Sequence, residues 1–378
     1  MVSSPEAPLI RLARPDIDEE DIAAVAEVLR SGFLVQGPQV AAFESQVAEL
    51  AGRPHGVAVV NCTAALHLAL LVLDIRPGDA VAVSAYSWPA SANAIALVGA
   101  DPVFIDIDPA TWTMRPDALA AALTADPRIK AVMPVHVFGG MADLSPIVRL
   151  ADAHHLPVIE DAACALGASL AGRPAGGWGR VGCFSFHPRK SITTGEGGVL
   201  VTADRALAQR ARALRNHGLD PDAAAPDFIL PGYNLRLTEM QGALGVAQLR
   251  KFGRLLAHRR TVADWYAEAL AGLDLVLPAA LAPAAHAFQA YVVLLPRNAP
   301  RDQVILGLRH AGVETTIGTY HQPMTSYFRT RGGYRAGNFP VTDDVAARAL
   351  ALPLHAALSR PEIDRVAAAL GTVLGETS

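Results

Sequence analysis

Lysine is almost missing from this chain. Of 32 Lys and Arg residues only three are lysines: Lys130, Lys190 and Lys251. Cysteine is scarce too, and Cys62, Cys164 and Cys183 are odd in number and lack metal-ligand spacing. A disulfide scaffold and a cysteine-held metal are therefore not expected, and the thiols read as reduced and buried in a cytoplasmic protein. No basic block interrupts a net charge of −4, so nucleic acid is not an expected partner. No run of about 18 apolar residues occurs, and Met1-Val2-Ser3-Ser4 does not open a signal peptide. The chain reads as soluble, unexported and free of a membrane partner. Internal repeats and low-complexity tracts are also missing. What is abundant is apolar: 51% hydrophobic against 18% charged residues over 378 positions. That suits a well-buried enzyme of one large or two moderate domains.

Short apolar runs alternate with helical patterns through the first half of the chain. The runs are 57–60, 80–83, 102–106, 131–135, 158–160, 183–186 and 199–202. Most lack polar alternation, as strands covered on both faces do. Helical patterns at 63–73, 90–98, 116–123 and 144–154 lie between them. This rhythm predicts an α/β fold with a mostly parallel sheet and helices on both faces. Later come helical stretches at 205–216 and 238–270, a Pro/Ala linker at 278–285, a strand at 290–295, and helices at 302–310 and 361–374. The expected division is a large domain at 1–250 and a smaller α+β domain at 251–378, with the early helix at 19–29 packing on the smaller one.

Ligands of such sheets bind beyond the carboxyl ends of the strands, and the chemically informative residues follow the strands. Lys190 sits between the strand Gly182-Cys183-Phe184-Ser185-Phe186 and the turn Thr194-Gly195-Glu196-Gly197-Gly198. A chain that prefers arginine but keeps a lysine there points to an amine that can lose its proton, the requirement for a Schiff base. An ordinary half-exposed lysine is the alternative; Lys130 and Lys251 read as surface residues. Asp161 ends the run at 158–160 and could pair with a pyridinium nitrogen, or cap a following helix. Thr63 and Ala64 open the helix after the first strand, where free N–H groups suit a phosphate, although a Thr-capped helix accounts for them equally. Trp88, in Tyr86-Ser87-Trp88-Pro89, could stack on a flat cofactor or pack in the core. Ser185 is a further candidate phosphate ligand. Gly195 to Gly198 let the chain turn beside Lys190.

With these residues in place, the chain resembles the DegT/DnrJ/StrS group of sugar aminotransferases, on the fold type I framework of pyridoxal phosphate (PLP) enzymes. The resemblance spans nearly the whole chain. It rests on Gly37-Pro38 with Phe43-Glu44, Thr63-Ala64-Ala65-Leu66-His67, Pro134-Val135-His136, Glu160-Asp161-Ala162-Ala163, Arg215-Asn216-His217-Gly218, Gly232-Tyr233-Asn234 and Leu352-Pro353-Leu354-His355. The most specific part is Phe184-Ser185-Phe186-His187-Pro188-Arg189-Lys190 with its glycine-rich turn. It implies a seven-stranded sheet, Lys190 as Schiff-base lysine and Asp161 as pyridinium partner. Trp88 would stack on the ring, and Thr63, Ala64 and Ser185 would hold the phosphate. Asn234 would reach the cofactor phosphate of a neighbouring subunit, so the unit is a homodimer with shared sites. His321 and His187 would face the substrate. No metal is implied.

Two positions depart from the pattern: Asn61-Cys62 stands where the group has Ser-Gly, and Cys164 where many members carry Gln or His. The implied reaction moves an amino group from L-glutamate or L-glutamine, through pyridoxamine phosphate, to a keto sugar. The acceptor would be a nucleotide-linked keto-deoxysugar of amino-sugar, antibiotic or polysaccharide biosynthesis, with a keto-cyclitol as runner-up. A PLP-binding regulator of the same fold stays open, although no basic-faced DNA-reading helix is visible. Lys190 argues against the dehydratases of the group, which carry His there.

Overall fold

The computed structural model describes residues 8–377; the opening Met1–Ser4 tetrapeptide lies outside them. Seven strands form the main sheet: β1 (His55–Val59), β2 (Ala80–Ser84), β3 (Asp101–Ile105), β4 (Ile129–Met133), β5 (Ile159–Asp161), β6 (Val181–Ser185) and β7 (Gly198–Thr202). Their order is β3-β2-β4-β5-β6-β7-β1, with β4 and β5 joined by the bridges Val132–Val158 and Val135–Asp161. β7 runs antiparallel to both neighbours and the other pairings are parallel. The expected mostly parallel, seven-stranded α/β sheet is what forms.

The strands lack polar alternation because both faces are covered. Along β2, Ala80 and Ala82 join one core cluster, with Phe43, Leu119 and Ile147 from the helices Pro38–Leu50, Pro116–Ala125 and Leu144–Ala153. Val81 and Val83 join the other, with Leu66, Ile95 and Leu214 from Cys62–Val72, Ala90–Leu97 and Arg205–Arg215. Each strand thus buries alternate residues on opposite faces.

A second, antiparallel sheet has the order Tyr291–Leu294, Ala349–Leu352, Thr316–Ile317. Its core takes residues from Arg301–His310 and Arg360–Thr377, and also Ile10 from near the start of the chain. Leu12 O accepts from Leu354 N–H at 3.0 Å. The helix Glu19–Ser31 lies along the 31-residue helix Glu239–Ala269, which runs through position 250. Lys251 ties that contact together and is no surface residue. Its side chain is 12% exposed and bonds Asp16, Asp18 and Asp21 at 2.7–2.8 Å. Among the described residues no helix is long and apolar enough to cross a membrane.

Candidate active site

β5 ends on Asp161, which is 4% exposed. Turns rather than a helix follow it, so Asp161 caps no helix. Its Oδ2 accepts from Ser91 Oγ at 2.6 Å and its Oδ1 from Ala163 N–H at 3.2 Å. Ser91 Oγ lies 3.0 Å from Ser87 Oγ, and both serines are buried. The neighbouring Glu160 is held differently. It bonds His136 at 3.0 Å and accepts the N–H groups of Gly176, Trp178 and Gly179. Burial pushes the Glu160 carboxyl up, but His136 and these donors outweigh it and hold it below its ordinary value. Asp161 has no ion pair among the described residues, and a buried carboxylate without a cation is costly.

β6 ends on Ser185, and Lys190 follows on a tight turn. Lys190 N–H donates to His187 O at 2.8 Å, and Arg189 N–H to His187 Nδ1 at 3.2 Å. The His187 ring is thus engaged by its own turn, and burial holds it below the ordinary imidazole range. Gly195, at φ +81°, supplies the left-handed turn before β7. Gly198 is required by close approach: a Cβ there would lie 2.4 Å from the Asn61 carbonyl. That contact brings the start of the helix Cys62–Val72 against the Lys190 loop. Lys190 is half-buried, and its Nζ donates to Cys164 Sγ at 3.1 Å. Cys164 is therefore not the buried thiol expected; Cys62 and Cys183 are buried, and all three are free.

At the helix start, Asn61 is the cap. Its Oδ1 accepts the Ala64 N–H at 2.9 Å. The amide expected to be free at Ala64 is therefore committed, because the Asn side chain reaches three residues on as a helix cap does. The Thr63 N–H has no acceptor among the described residues.

After β2 comes Trp88, which is 62% exposed and so no core residue. Its ring meets Tyr320 edge-on at 5.3 Å. Tyr320–His321 pairs antiparallel with Tyr86–Ser87, which places His321 beside the Trp88 loop. His321 Nε2 contacts Asp343 at 3.0 Å; burial holds the ring below its ordinary value although Asp343 opposes this. Gln322 locks the two segments together. Its Nε2 donates to Ser84 O at 2.8 Å and its Oε1 accepts from Ala92 N–H at 3.1 Å. Asn234 is exposed, and among the described residues its side chain makes no hydrogen bond. It caps nothing: Thr238 and Gln241 form the capping box of the helix Glu239–Ala269. Its loop runs past the end of β1, where Val60 N–H donates to Leu235 O at 3.0 Å.

A cavity of about 670 Å³, lined by Arg53, Asp152, Trp178 and Arg180 among others, opens at the other ends of β5 and β6. It contains none of these residues. The rule that open α/β sheets bind ligands beyond the carboxyl ends of their strands favours the Lys190–Asp161 end.

The model of the DegT/DnrJ/EryC1/StrS aminotransferase family matches residues 15–371. This chain belongs to that family. Its aminotransferase relatives match almost end to end. GDP-perosamine synthase from Caulobacter vibrioides is 38% identical over 98% of this chain and 99% of its own. UDP-N-acetyl-3-dehydro-alpha-D-glucosamine 3-aminotransferase from Acidithiobacillus ferrooxidans is 39% identical, covering 94% of each. A Streptococcus pneumoniae protein described as a sugar aminotransferase, solved in its PMP form, superposes with a TM-score of 0.93 at 28% identity, covering 98% of each chain.

The residues of this aminotransferase fit a PLP group on three counts. Asp161 is a buried carboxylate with no ion pair among the described residues, the Thr63 amide lacks an acceptor at a helix N-terminus, and Trp88 is 62% exposed. Sequence reading missed Ser91 and Gln322. Both are common residue types whose partners lie 70 and 230 or more positions away, and neither sits in a pattern that signals chemistry.

Proposed function

We propose that this PLP-dependent aminotransferase takes an amino group from L-glutamate or L-glutamine and gives it to a nucleotide-linked keto sugar. The observation that carries the reading is the pairing of two groups at one sheet end: a half-buried lysine between β6 and β7, and a buried carboxylate, with no ion pair among the described residues, at the end of β5. The substrate class is supported by the two relatives named for nucleotide-linked sugars.

When bound, PLP supplies the electron sink for charge left on a carbon that loses its proton. Lys190 Nζ would hold the cofactor and, as a free amine, would serve as general acid and base at the donor's α-carbon. Asp161 would compensate the positive ring nitrogen, its two oxygens fixed by Ser91 Oγ and the Ala163 amide. Trp88 would stack on the cofactor ring. Thr63 and Ser185 hold the phosphate, with Thr63 the amide donor of its turn because that of Ala64 is taken by Asn61. His321 faces the substrate from the Trp88 side, and His187 shapes the lysine turn.

The working unit is a homodimer in which Asn234 of one subunit completes the phosphate site of the other. Exposed Phe33, Leu34 and Val35, together with Phe228, Ile229 and Tyr233 of the loop carrying Asn234, support this face as the covered one. The backbone bond from Glu239 N–H to Leu34 O and the Val35–Thr238 bridge join the two segments. Three unbridged cysteines suit a cytoplasmic setting. The division into a large and a small domain is placed near residue 250, with Ile10 and Leu12 belonging to the small one.

The test is to convert purified enzyme to its pyridoxamine form and offer a panel of keto sugars. Return of the yellow colour with a nucleotide-linked keto sugar supports the reading. Return with free keto-cyclitols alone sinks it.

A further inference from the structure

All three cysteines lie near the Lys190–Asp161 end of the sheet. Cys183 lies on β6 opposite Asp161, and Cys62 opens the helix that abuts Gly198. Burial pushes both thiols well above their ordinary value, so they stay protonated and unreactive. Cys164 differs. It is half-buried, and its sulfur accepts the hydrogen bond of the Lys190 ammonium at 3.1 Å. An ammonium can only donate, and a cation at hydrogen-bond distance favours the thiolate form of a cysteine.

The other charged and titratable groups around the pair are few. Asp161, Cys62 and Cys164 bear on the Lys190 ammonium, and His187 and Arg189 share its turn. Arg259 Nη2 reaches the Lys190 carbonyl at 3.4 Å. Among the described residues no carboxylate hydrogen-bonds the Lys190 amine, so Cys164 is its direct partner. Burial pulls the Lys190 ammonium down, but the Cys164 sulfur first, with Asp161 adding, outweighs it and holds it above its ordinary value. A lysine in that state is a poor base until it sheds its proton, and the nearest acceptor is the Cys164 sulfur.

We propose that Cys164 is the proton-exchange partner of Lys190, taking the ammonium proton when Lys190 must act as a neutral amine and returning it afterwards. In the step, one N–H bond of Lys190 breaks with its electron pair left on nitrogen, and an S–H bond forms on the Cys164 thiolate. An ammonium–thiolate pair becomes an amine–thiol pair, net charge is unchanged and nothing is oxidised. The inference rests on the reading of Lys190 as the reacting amine.

The test uses full-length enzyme loaded with pyridoxamine phosphate, in which Lys190 is free. Alkylation of Cys164 by iodoacetamide is followed against pH by peptide mass spectrometry in wild type, Lys190→Met and Lys190→Gln, with buried Cys62 and Cys183 as internal controls. At pH 7 the wild-type Cys164 is expected to react about 10-fold faster or more than in either variant, one unit of thiol ionisation being about tenfold in thiolate. Coupling is reciprocal, so Cys164→Ser is expected to raise cyanate labelling of Lys190 at pH 8 by a similar factor. Identical alkylation profiles in wild type and both Lys190 variants overturn the pairing. Borohydride reduction of the PLP form tests the underlying reading separately. A coupled pair with the reduced cofactor attached elsewhere would remove Cys164 from the reaction.

Discussion

Ser91→Ala is the sharpest perturbation the structure offers. Ser91 is fully buried, and its hydroxyl gives Asp161 a 2.6 Å hydrogen bond while resting 3.0 Å from Ser87. The substitution removes one oxygen and leaves the helix Ala90–Leu97 its backbone bonds. Asp161 Oδ2 then loses its side-chain donor in a site that water barely reaches. A hydrogen bond to a charged group contributes about 1.5–3 kcal/mol, which is roughly 10- to 100-fold in rate. The loss is expected in the amino-transfer step. Asp161→Ala sets the ceiling, at about 10²-fold or more, or about 3 kcal/mol of barrier. The assay is single-turnover conversion of the pyridoxamine form, measured from pH 5 to 9 beside thermal unfolding. If Ser91→Ala matches wild type in rate across that range while remaining folded, the hydroxyl does not support Asp161 and the reasoning fails.

Two further outcomes follow from single features of the fold. His286 is buried and accepts from Phe288 N–H at 2.8 Å, and burial, with Arg260 adding, lowers its pKa from 6.5 to about 4. An unfolded imidazole takes a proton near 6.5 and the folded one does not, so stability is lost as pH falls from 6.5 towards 4, by up to about 3 kcal/mol. Urea unfolding at pH 7 and pH 4.5 should therefore show a smaller acid loss in His286→Gln than in wild type, and equal losses would count against it. Mixing Lys190→Ala with Asn234→Ala subunits should restore activity above either parent, because one site of each heterodimer is intact. A mixture that exchanges subunits and stays inactive rules out shared sites.

The site's anchors were legible because they break local habits. Lys190 is a lysine in an arginine-rich chain, set between a strand and a glycine turn. Asp161 ends an apolar run. The strands were legible because burial on both faces leaves unbroken apolar runs. The bonds that tie the site together are long-range and were not legible: Ser91 to Asp161, Gln322 to the Ser84 carbonyl, Lys190 to Cys164. In the C-terminal part, Ala349–Leu352 reads as helix-forming Ala-Leu-Ala-Leu, yet it is the middle strand of the second sheet. Its neighbours override local propensity. The helix Pro38–Leu50 was missed for a related reason. The buried Glu239 carboxylate, reaching from a distant helix, accepts the N–H groups of Gly37, Gln39 and Val40 that start it.

The central claim is that Lys190 is the amine that carries the cofactor, and borohydride reduction of the yellow enzyme followed by peptide mapping tests it most directly. The reduced pyridoxyl group is expected on Lys190 alone, in the peptide Phe186-His187-Pro188-Arg189-Lys190-Ser191, and to vanish in Lys190→Arg, whose guanidinium forms no imine. Attachment to exposed Lys130 or to carboxylate-bound Lys251, or no attachment at all, contradicts it.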